Sequence, residues 1–245
     1  MVSFVILHYH NISDGAEAAF QEWFDDHSAA IAAVPGFRGI QRFEITPIQL
    51  KRDDPQPWKH LRVYEFEGRS ALPDLRPVAA AIATGRFHKL FQDEHSHVFE
   101  MNWPLKKGPY FTGEPMTHLL LVMGNLVVGR EEEYHRWYDQ QHSAEVIESP
   151  GFTAMWRGRI ADIQLDPPND YPANQLIFVP MRTTALQTDT DEFIARANGV
   201  SPSGIAWGPR NMAASLQRTV HVFEVASPRR AATELQQRGL LADKN

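Results

Sequence analysis

Hydrophobic and polar positions follow two patterns along the chain, and each pattern occurs twice. Apolar runs at Phe4 to His10 and at His118 to Met123 end in polar turn residues, which is typical of β-strands. Residues that are apolar except for one histidine then recur at helical spacing in each half. They are Phe20, Phe24, His27, Ile31 and Val34 in the first half, and Tyr134, Tyr138, His142 and Val146 in the second. Pro35-Gly36 and Pro150-Gly151 then end the two predicted helices.

Two further strands are expected after each helix. In the first half they cover Phe37 to Ile45 and Leu61 to Phe66, and in the second half Phe152 to Ile160 and Leu176 to Val179. A weaker helix and a closing strand complete each half. Both halves therefore follow the order β-α-β-β-α-β.

The two halves are copies of one unit. At an offset of 115, the 24 residues from His27 to Leu50 match His142 to Leu165 at 11 positions, including the histidine, the Pro-Gly-Phe triplet and Arg42/Arg157. The order of elements around this block also agrees. Such internal similarity indicates a tandem duplication.

The duplication divides the chain into four parts. Residues 1–103 form the first repeat, 104–116 a Pro- and Gly-containing linker, 117–227 the second repeat and 228–245 a tail. The predicted fold class is α+β, with two fused ferredoxin-like units. Their two sheets are expected to pack face to face as a pseudo-dimeric α+β barrel, with the helices outside.

The helix residues Glu133 to His142, followed by Pro150-Gly151-Phe152 and the strand of Arg157, resemble the dimeric α+β barrel superfamily and its EthD-like branch. The first copy resembles it too, but has one residue fewer between tryptophan and histidine. Members of that superfamily include cofactor-free quinol oxygenases, lactone isomerases, decarboxylases or dehydratases, haem enzymes and proteins without known chemistry. The resemblance implies the fold and leaves these functions open.

Composition removes several classes of function. The chain has 24 basic and 30 acidic residues, a formal net charge of −6, which argues against nucleic acid or an anionic membrane as the principal partner. The absence of cysteine excludes disulfides, thiolate nucleophiles and Cys-ligated metals. No export signal or membrane span is recognisable, so a cytoplasmic protein is expected.

The helix histidines His27 and His142 are the first candidates for catalysis. Both lie on the apolar stripe of a predicted helix, where a histidine either holds a backbone carbonyl in the core or acts as a general acid/base. In the second copy Asp139 is expected to orient His142, and Tyr138 to share its cavity. His27 lacks such a carboxylate, so the two sites should differ chemically.

Strand histidines add a second group of candidates. His8 and His10 share one strand face, and His97 on the closing strand of the first copy corresponds to His221 in the second. Two His-x-His pairs, the second formed by His95 and His97, could hold a metal together with His27. The preferred alternative is a proton-transfer pocket in which His8 or His10 meets His27 across a cavity between sheet and helix, and no metal is predicted.

The remaining candidates would bind substrate. His10, His97 and His221 belong to this set. Trp23 and Trp137 are core residues that would also suit a flat aromatic ligand, and Arg42 and Arg157 form ion pairs or anchor an anion. On the neighbouring strand, Arg62 and Tyr64 are expected on opposite faces.

These residues favour an enzyme without a cofactor that acts on a small aromatic or polyketide-like molecule. The leading hypothesis is a lyase in which histidine removes a proton before C–C or C–O cleavage. The alternatives are a cofactor-free quinol-type monooxygenase, a haem enzyme with an axial histidine, and a non-catalytic binding or assembly module. A fused pseudo-dimer can remain a monomer or form a homodimer.

Overall fold

The computed structural model describes residues 2–51, 53–68, 77, 80, 90–165 and 173–242. Ten strands are present in these ranges. They are β1 (Val2–Ile12), β2 (Phe37–Ile45), β3 (His60–Gly68), β4 (Phe91–Glu100), β5 (Lys106–Lys107), β6 (His118–Leu126), β7 (Ala154–Ile160), β8 (Gln175–Met181), β9 (Ser215–Val225) and β10 (Arg230–Ala231).

Eight of these strands close into an antiparallel barrel. The order β2-β3-β1-β4 in the first repeat is repeated as β7-β8-β6-β9 in the second. Pairing of Phe99 with Ile160 joins β4 to β7, and pairing of Phe43 with Val225 joins β2 to β9. The two sheets therefore share both of their edges, which removes the unpaired edge strands that each would have alone.

Side chains alternate between the inside of the barrel and the helices outside it. Along β1, Val5, Leu7 and Tyr9 pack inside the barrel, whereas Phe4 and Ile6 pack toward the helix layer. An eight-stranded barrel is just wide enough to be filled by side chains. The interior is accordingly a packed core, and the spaces between sheet and helices are where a ligand site can form.

The helices cover the outside of the barrel. The first repeat contributes α1 (Glu17–Ile31). The second contributes one continuous helix, made of α2 (Glu131–Trp137), a π-helical turn (Tyr138–His142) and α3 (Ser143–Ile147), and then α4 (Leu186–Ala197). In the tail, α5 (Ala232–Ala242) packs against α1, with Ala232 and Leu235 buried in the first repeat's core.

The Pro-Gly turns after the two helices have the same geometry. Gly36 and Gly151 have φ values of +84° and +79°, a region that favours glycine. In both turns the glycine carbonyl accepts a hydrogen bond from a backbone N–H, of Glu67 and Arg182 respectively, at 2.8 Å. The repeated triplet in the sequence thus marks a repeated turn that fixes each helix against its sheet.

The α+β fold of two ferredoxin-like units is confirmed. The expectation of two separate facing sheets was incomplete, because both edges pair and close one barrel. The linker contains the short strand β5, which pairs with β7. The weaker helix of the first repeat falls on residues 69–89, which lie almost wholly outside the described ranges, and the exact domain boundaries stay a prediction.

Candidate active site

A cavity of about 270 Å³ lies between the sheet of the second repeat and its helices. Its walls are mainly apolar and aromatic, and His142 lies among them. The lining includes Trp137, Tyr138, His142, Phe193, Trp207 and Arg218. A concave, largely apolar space with a few polar groups is the usual form of a small-molecule site.

The His142 imidazole is held by a carboxylate from its own helix. Its Nδ1 lies 3.1 Å from Oε2 of Glu145, and the other carboxylate oxygen, Oε1, accepts hydrogen bonds from Nε2 of Gln141 at 2.9 Å and from the Gly208 N–H at 2.7 Å. Nε2 of His142 has no hydrogen-bond partner within the described ranges. The arrangement is an oriented imidazole with one nitrogen left for a ligand.

Burial and hydrogen bonding set the charges of this pair. Burial lowers the pKa of His142, and the hydrogen bond and charge of Glu145 only partly oppose it. For Glu145, burial raises the pKa, but the hydrogen bonds from His142, Gln141 and Gly208 outweigh burial, and the pKa is lowered. Near neutral pH the pair is therefore a neutral imidazole whose Nδ1–H donates to a carboxylate, which leaves a lone pair on Nε2.

Aromatic rings fix the imidazole on several sides. The Trp137 ring stacks on His142 with centroids 4.2 Å apart and planes 10° apart. Tyr138 and Trp207 contact the same ring edge-on, at 4.9 and 5.3 Å. The stack and the Glu145 bond together leave the imidazole little freedom to rotate.

Comparison of the repeats explains why this cavity exists. Four strand residues that face the helix layer are polar in the first repeat, and three of them are large, whereas their counterparts in the second repeat are aliphatic. His8, Arg62, Tyr64 and Ser96 correspond to Val122, Ile177, Val179 and Val220. All four of the second-repeat residues line the cavity. Val122, Ile177 and Val179 leave the space that the larger side chains of His8, Arg62 and Tyr64 occupy in the first repeat.

The first repeat fills the corresponding region with a buried polar network. His8 bonds Oγ of Ser96 at 2.6 Å and Oε1 of Glu94 at 2.9 Å, and the Arg62 guanidinium reaches the same carboxylate oxygen at 3.4 Å. Arg62, which is almost fully buried, also lies over the Trp23 ring at 4.6 Å. These interactions satisfy charges that would be costly to bury alone.

His27 occupies the equivalent position to His142 but has different neighbours. Its Nε2 and the Tyr64 hydroxyl share a hydrogen bond at 2.9 Å, and Trp23 stacks on its ring at 4.5 Å and 12°. Burial, reinforced by the positive charge of Arg62, lowers the pKa of His27 to about 3. The expected chemical difference between the two helix histidines is thus present in their surroundings.

His10 is fully buried beside this network. It packs against Phe20 and Phe91 and stacks on His60 with centroids 5.4 Å apart. Burial, with the nearby charge of Arg62, lowers its pKa, and the backbone of His8 partly opposes this. Among the described residues, neither ring nitrogen has a partner at full hydrogen-bond geometry.

Asp139 does not contact His142, and the repeated arginines Arg42 and Arg157 contact other side chains. Asp139 is ion-paired with Arg157 and lies 3.6 Å from Nζ of Lys106, so the carboxylate that orients His142 is Glu145. Arg157 also lies over the ring of Tyr138 at 5.1 Å. Arg42 lies over Phe20, outside the second repeat's cavity. The ion-pair alternative for Arg157 is the one that matches its contacts.

The histidines on the closing strands face the interior of the barrel and not the helices. His95 and His97 pair across the sheet with Tyr9 and Leu7, which face the barrel interior, whereas His8 faces the helices. A metal set made of both His-x-His pairs is therefore wrong, because the sheet separates them. His221 also faces the interior, where its Nε2 lies 3.1 Å from the Pro55 carbonyl oxygen. Within the described part of the chain, no three His, Asp or Glu side chains are grouped as metal ligands.

Sequence reasoning missed several residues of these sites. Glu145 lies three residues after His142, a helical spacing that could have identified it. Arg62 and Tyr64 were placed on opposite faces in error, since residues two apart on a strand share one face. Trp207 comes from an irregular segment with no periodicity, and no sequence pattern links it to the cavity.

Comparison with known proteins supports the fold. No protein-family model and no curated protein matches the sequence. Three solved structures share the fold with 6–10% identity. An anthrone oxidase-like protein matches with a TM-score of 0.57 and 10% identity, over 96% of this chain and 94% of that chain. A proposed monooxygenase from Fusobacterium nucleatum subsp. nucleatum matches with a TM-score of 0.56 and 8% identity, over 92% of this chain and 93% of that chain. A chlorite dismutase variant from Candidatus Nitrospira defluvii matches with a TM-score of 0.58 and 6% identity, over 96% of this chain and 94% of that chain.

These matches extend over nearly the whole length of each chain, so both repeats take part in the likeness. The protein has the duplicated ferredoxin-like architecture of the dimeric α+β barrels. At such identities the likeness concerns the fold alone. In the described residues, no helix has the length and apolar character needed to cross a membrane.

Proposed function

We propose that this protein is an enzyme that oxidises a small hydroxylated aromatic compound with molecular oxygen, in the cavity of the second repeat. His142 is the general base. The observation that carries this proposal is the Nδ1–Glu145 hydrogen bond, at 3.1 Å, on a ring that lines the cavity. It leaves Nε2 as a proton acceptor in a cavity whose lining is mainly apolar and aromatic.

The size and lining of the cavity favour a flat substrate of one or two rings. A volume of about 270 Å³ is slightly below the usual range for ligand pockets, about 300–1,000 Å³. Trp137, Phe193 and Trp207 offer aromatic faces and edges against which such a ring can stack. A bulky or flexible polyketide chain would suit this space less well.

The reaction balances without another reductant. Nε2 of His142 takes a proton from a phenolic O–H or an activated C–H, and the electron-rich carbon that results bonds to O₂. The proton returns to the peroxide, the O–O bond breaks and water leaves, so that a CH₂ or aromatic CH becomes a carbonyl carbon. One oxygen atom enters the product, the other forms water, and the substrate supplies the electrons.

The choice of oxidation over cleavage rests on the site and on two names among the solved structures of this fold. One is called an anthrone oxidase-like protein and the other a proposed monooxygenase, and both names denote oxidation rather than cleavage. The more specific EthD-like relationship and the lyase reaction expected from the sequence remain alternatives. Both reactions need the same base, and oxygen consumption separates them.

The test uses hydroquinone and 1,4-dihydroxynaphthalene, of one and two rings, as probes in an oxygen electrode, with autoxidation subtracted. We expect O₂ uptake equal to substrate consumed, and a decrease of about 10²–10⁴-fold in His142→Asn. His27→Asn, the same change in the first repeat, should retain most activity. Equal rates for His142→Asn and the wild type would overturn the proposal. Release of CO₂ from 2-hydroxybenzoate under nitrogen, with phenol as the other product, would support the lyase instead.

A further inference from the structure

The cavity of the second repeat carries positive charge without acidic residues in its lining. Lys51, Arg210 and Arg218 line it, and the described lining contains no aspartate or glutamate. This is unusual in a chain with a net charge of −6. A lining of this kind disfavours cationic ligands and favours anionic ones.

The three cations differ in whether they are already neutralised. Lys51 is paired with Asp54, with Nζ 3.3 Å from Oδ2. Arg210 donates to the Ala197 carbonyl at 2.7 Å and to Oδ1 of Asn198, and Arg218 donates to Sδ of Met212 at 3.5 Å. Within the described ranges, neither guanidinium has a carboxylate partner. Their charges are available to a ligand at this cavity.

The first repeat provides an internal comparison. Arg218 on β9 corresponds to Glu94 on β4, because the two closing strands align His97 with His221. Glu94 neutralises the buried Arg62 of the first repeat. In the second repeat the arginine's place is taken by Ile177, and the glutamate's place by Arg218. The negative charge of Glu94 in the first repeat is therefore replaced by the positive charge of Arg218, which lines the cavity of the second repeat.

Arg218 also lies close enough to influence the proposed base. Burial lowers the pKa of His142, and the charges of Arg218 and Arg210 act in the same direction. Burial raises the pKa of Tyr138, and the charge of Arg218 partly opposes this. Both guanidinium groups and the imidazole line the same cavity. The geometry thus places an anion-binding group and a proton acceptor in one cavity of a size for one or two rings.

We infer that the substrate is a hydroxylated aromatic carboxylate. Its carboxylate is bound by Arg218, with Arg210 at the rim, while its ring lies among the aromatic side chains beside His142. Arginine suits this role because its planar guanidinium can bind a carboxylate through two hydrogen bonds. The inference rests on the proposed function and specifies its substrate class.

The experiment compares two ligands of nearly the same shape, the anionic 1-hydroxy-2-naphthoate and the neutral 1-hydroxy-2-naphthamide. Binding is measured by calorimetry and by quenching of tryptophan fluorescence. We expect the wild type to bind the carboxylate at least tenfold more tightly than the amide, and Arg218→Gln to reduce this preference to about twofold or less. Arg38→Gln, an exposed arginine paired with Glu67 in the first repeat, should retain the full preference.

Other measurements separate this inference from the proposed function and from loss of folding. Raising NaCl from 50 to 500 mM should weaken binding of the carboxylate and leave the amide nearly unchanged in the wild type. His142→Asn should lose turnover but keep the preference. Equal affinities for the two ligands in the wild type, or an undiminished preference in an Arg210→Gln/Arg218→Gln double variant, would overturn the inference. A preference without any oxygen uptake would instead overturn the proposed function alone.

Discussion

Trp137 and His142 stack with nearly parallel rings 4.2 Å apart although five positions separate them along the helix. In the first repeat Trp23 and His27 make the same stack, at 4.5 Å, across four positions. An α-helix aligns residues four apart, not five. The π-helical turn Tyr138–His142 absorbs the additional residue and returns the histidine to its tryptophan. Such turns occur frequently at functional sites.

Removing the additional residue tests what this turn contributes. Gln140 is exposed, and its deletion gives the second helix the spacing of α1, which is an ordinary α-helix. We expect the variant to fold with a free energy of unfolding within about 1 kcal/mol of the wild type, because the same spacing packs well in the first repeat. Turnover should fall by about 10²-fold, since a displacement of about 1 Å at a catalytic group has such an effect. Urea unfolding and oxygen uptake measure the two quantities, and full activity in the deletion variant would show that the π-helical turn is dispensable.

The sequence predicted most of the fold because the duplication repeats both the apolar periodicity and the Pro-Gly turns. It also identified the helix histidines, since a polar residue on an apolar stripe stands out. It did not predict the π-helical turn, which appears in the sequence only as one extra residue. Nor could it predict the cavity beside His142. That depends on the volumes of Val122, Val179 and their neighbours, which become meaningful only when the strands are in register.

Replacement of Glu145 separates orientation of the base from the base itself. In Glu145→Gln the carboxylate that holds Nδ1 and raises the pKa of His142 is lost. We expect kcat/KM to fall by about 10²-fold because the imidazole is less well oriented. Protonated His142 cannot accept a proton, so activity falls as pH falls through its pKa. The pH at which the wild type loses half of its activity should lie below 6.5, and that of the variant should be lower still.

The control for this profile is Glu148→Gln, an exposed carboxylate just after α3, which should change neither rate nor midpoint. Asp139→Asn tests the residue that the sequence favoured. If Asp139→Asn changed the pH at which activity is half lost and Glu145→Gln did not, Asp139 would be the residue that orients His142, despite its ion pair with Arg157.

Filling the cavity should abolish function without unfolding the protein. Val179→Tyr places in the second repeat the side chain that Tyr64 provides in the first. We expect ligand binding to weaken more than tenfold, and a cost of about 1–3 kcal/mol in stability from overpacking. Val179→Ile, which adds one methyl group, should retain binding. Unchanged binding by the tyrosine variant would show that the ligand site lies elsewhere.

The placement of the histidine pairs gives a prediction about metals. Because His8 and His10 face the helices while His95 and His97 face the barrel interior, these four side chains cannot share one ion. We expect purified, untagged protein to contain iron and zinc well below one atom per chain. Dialysis against EDTA should not change oxygen uptake. Stoichiometric metal that is lost together with activity would contradict this and favour the haem or metal alternatives.

The buried His27 should make stability depend on pH. Its pKa is lowered to about 3 in the folded protein, against about 6.5 in the unfolded chain. Between these values the unfolded state takes up a proton that the folded state does not, so this contribution to stability is complete above pH 6.5 and is lost as pH falls toward 3. The slope from one such group is about 1.4 kcal/mol per pH unit. The free energy of unfolding, measured with urea between pH 4.5 and 6.5, should therefore change less steeply with pH in His27→Asn than in the wild type, by about this amount. The carboxylates titrate in the same way in both proteins, so their contribution cancels in the comparison. Parallel slopes for the two proteins would mean that His27 is protonated in the folded state, and that its bond with Tyr64 is made by the charged ring.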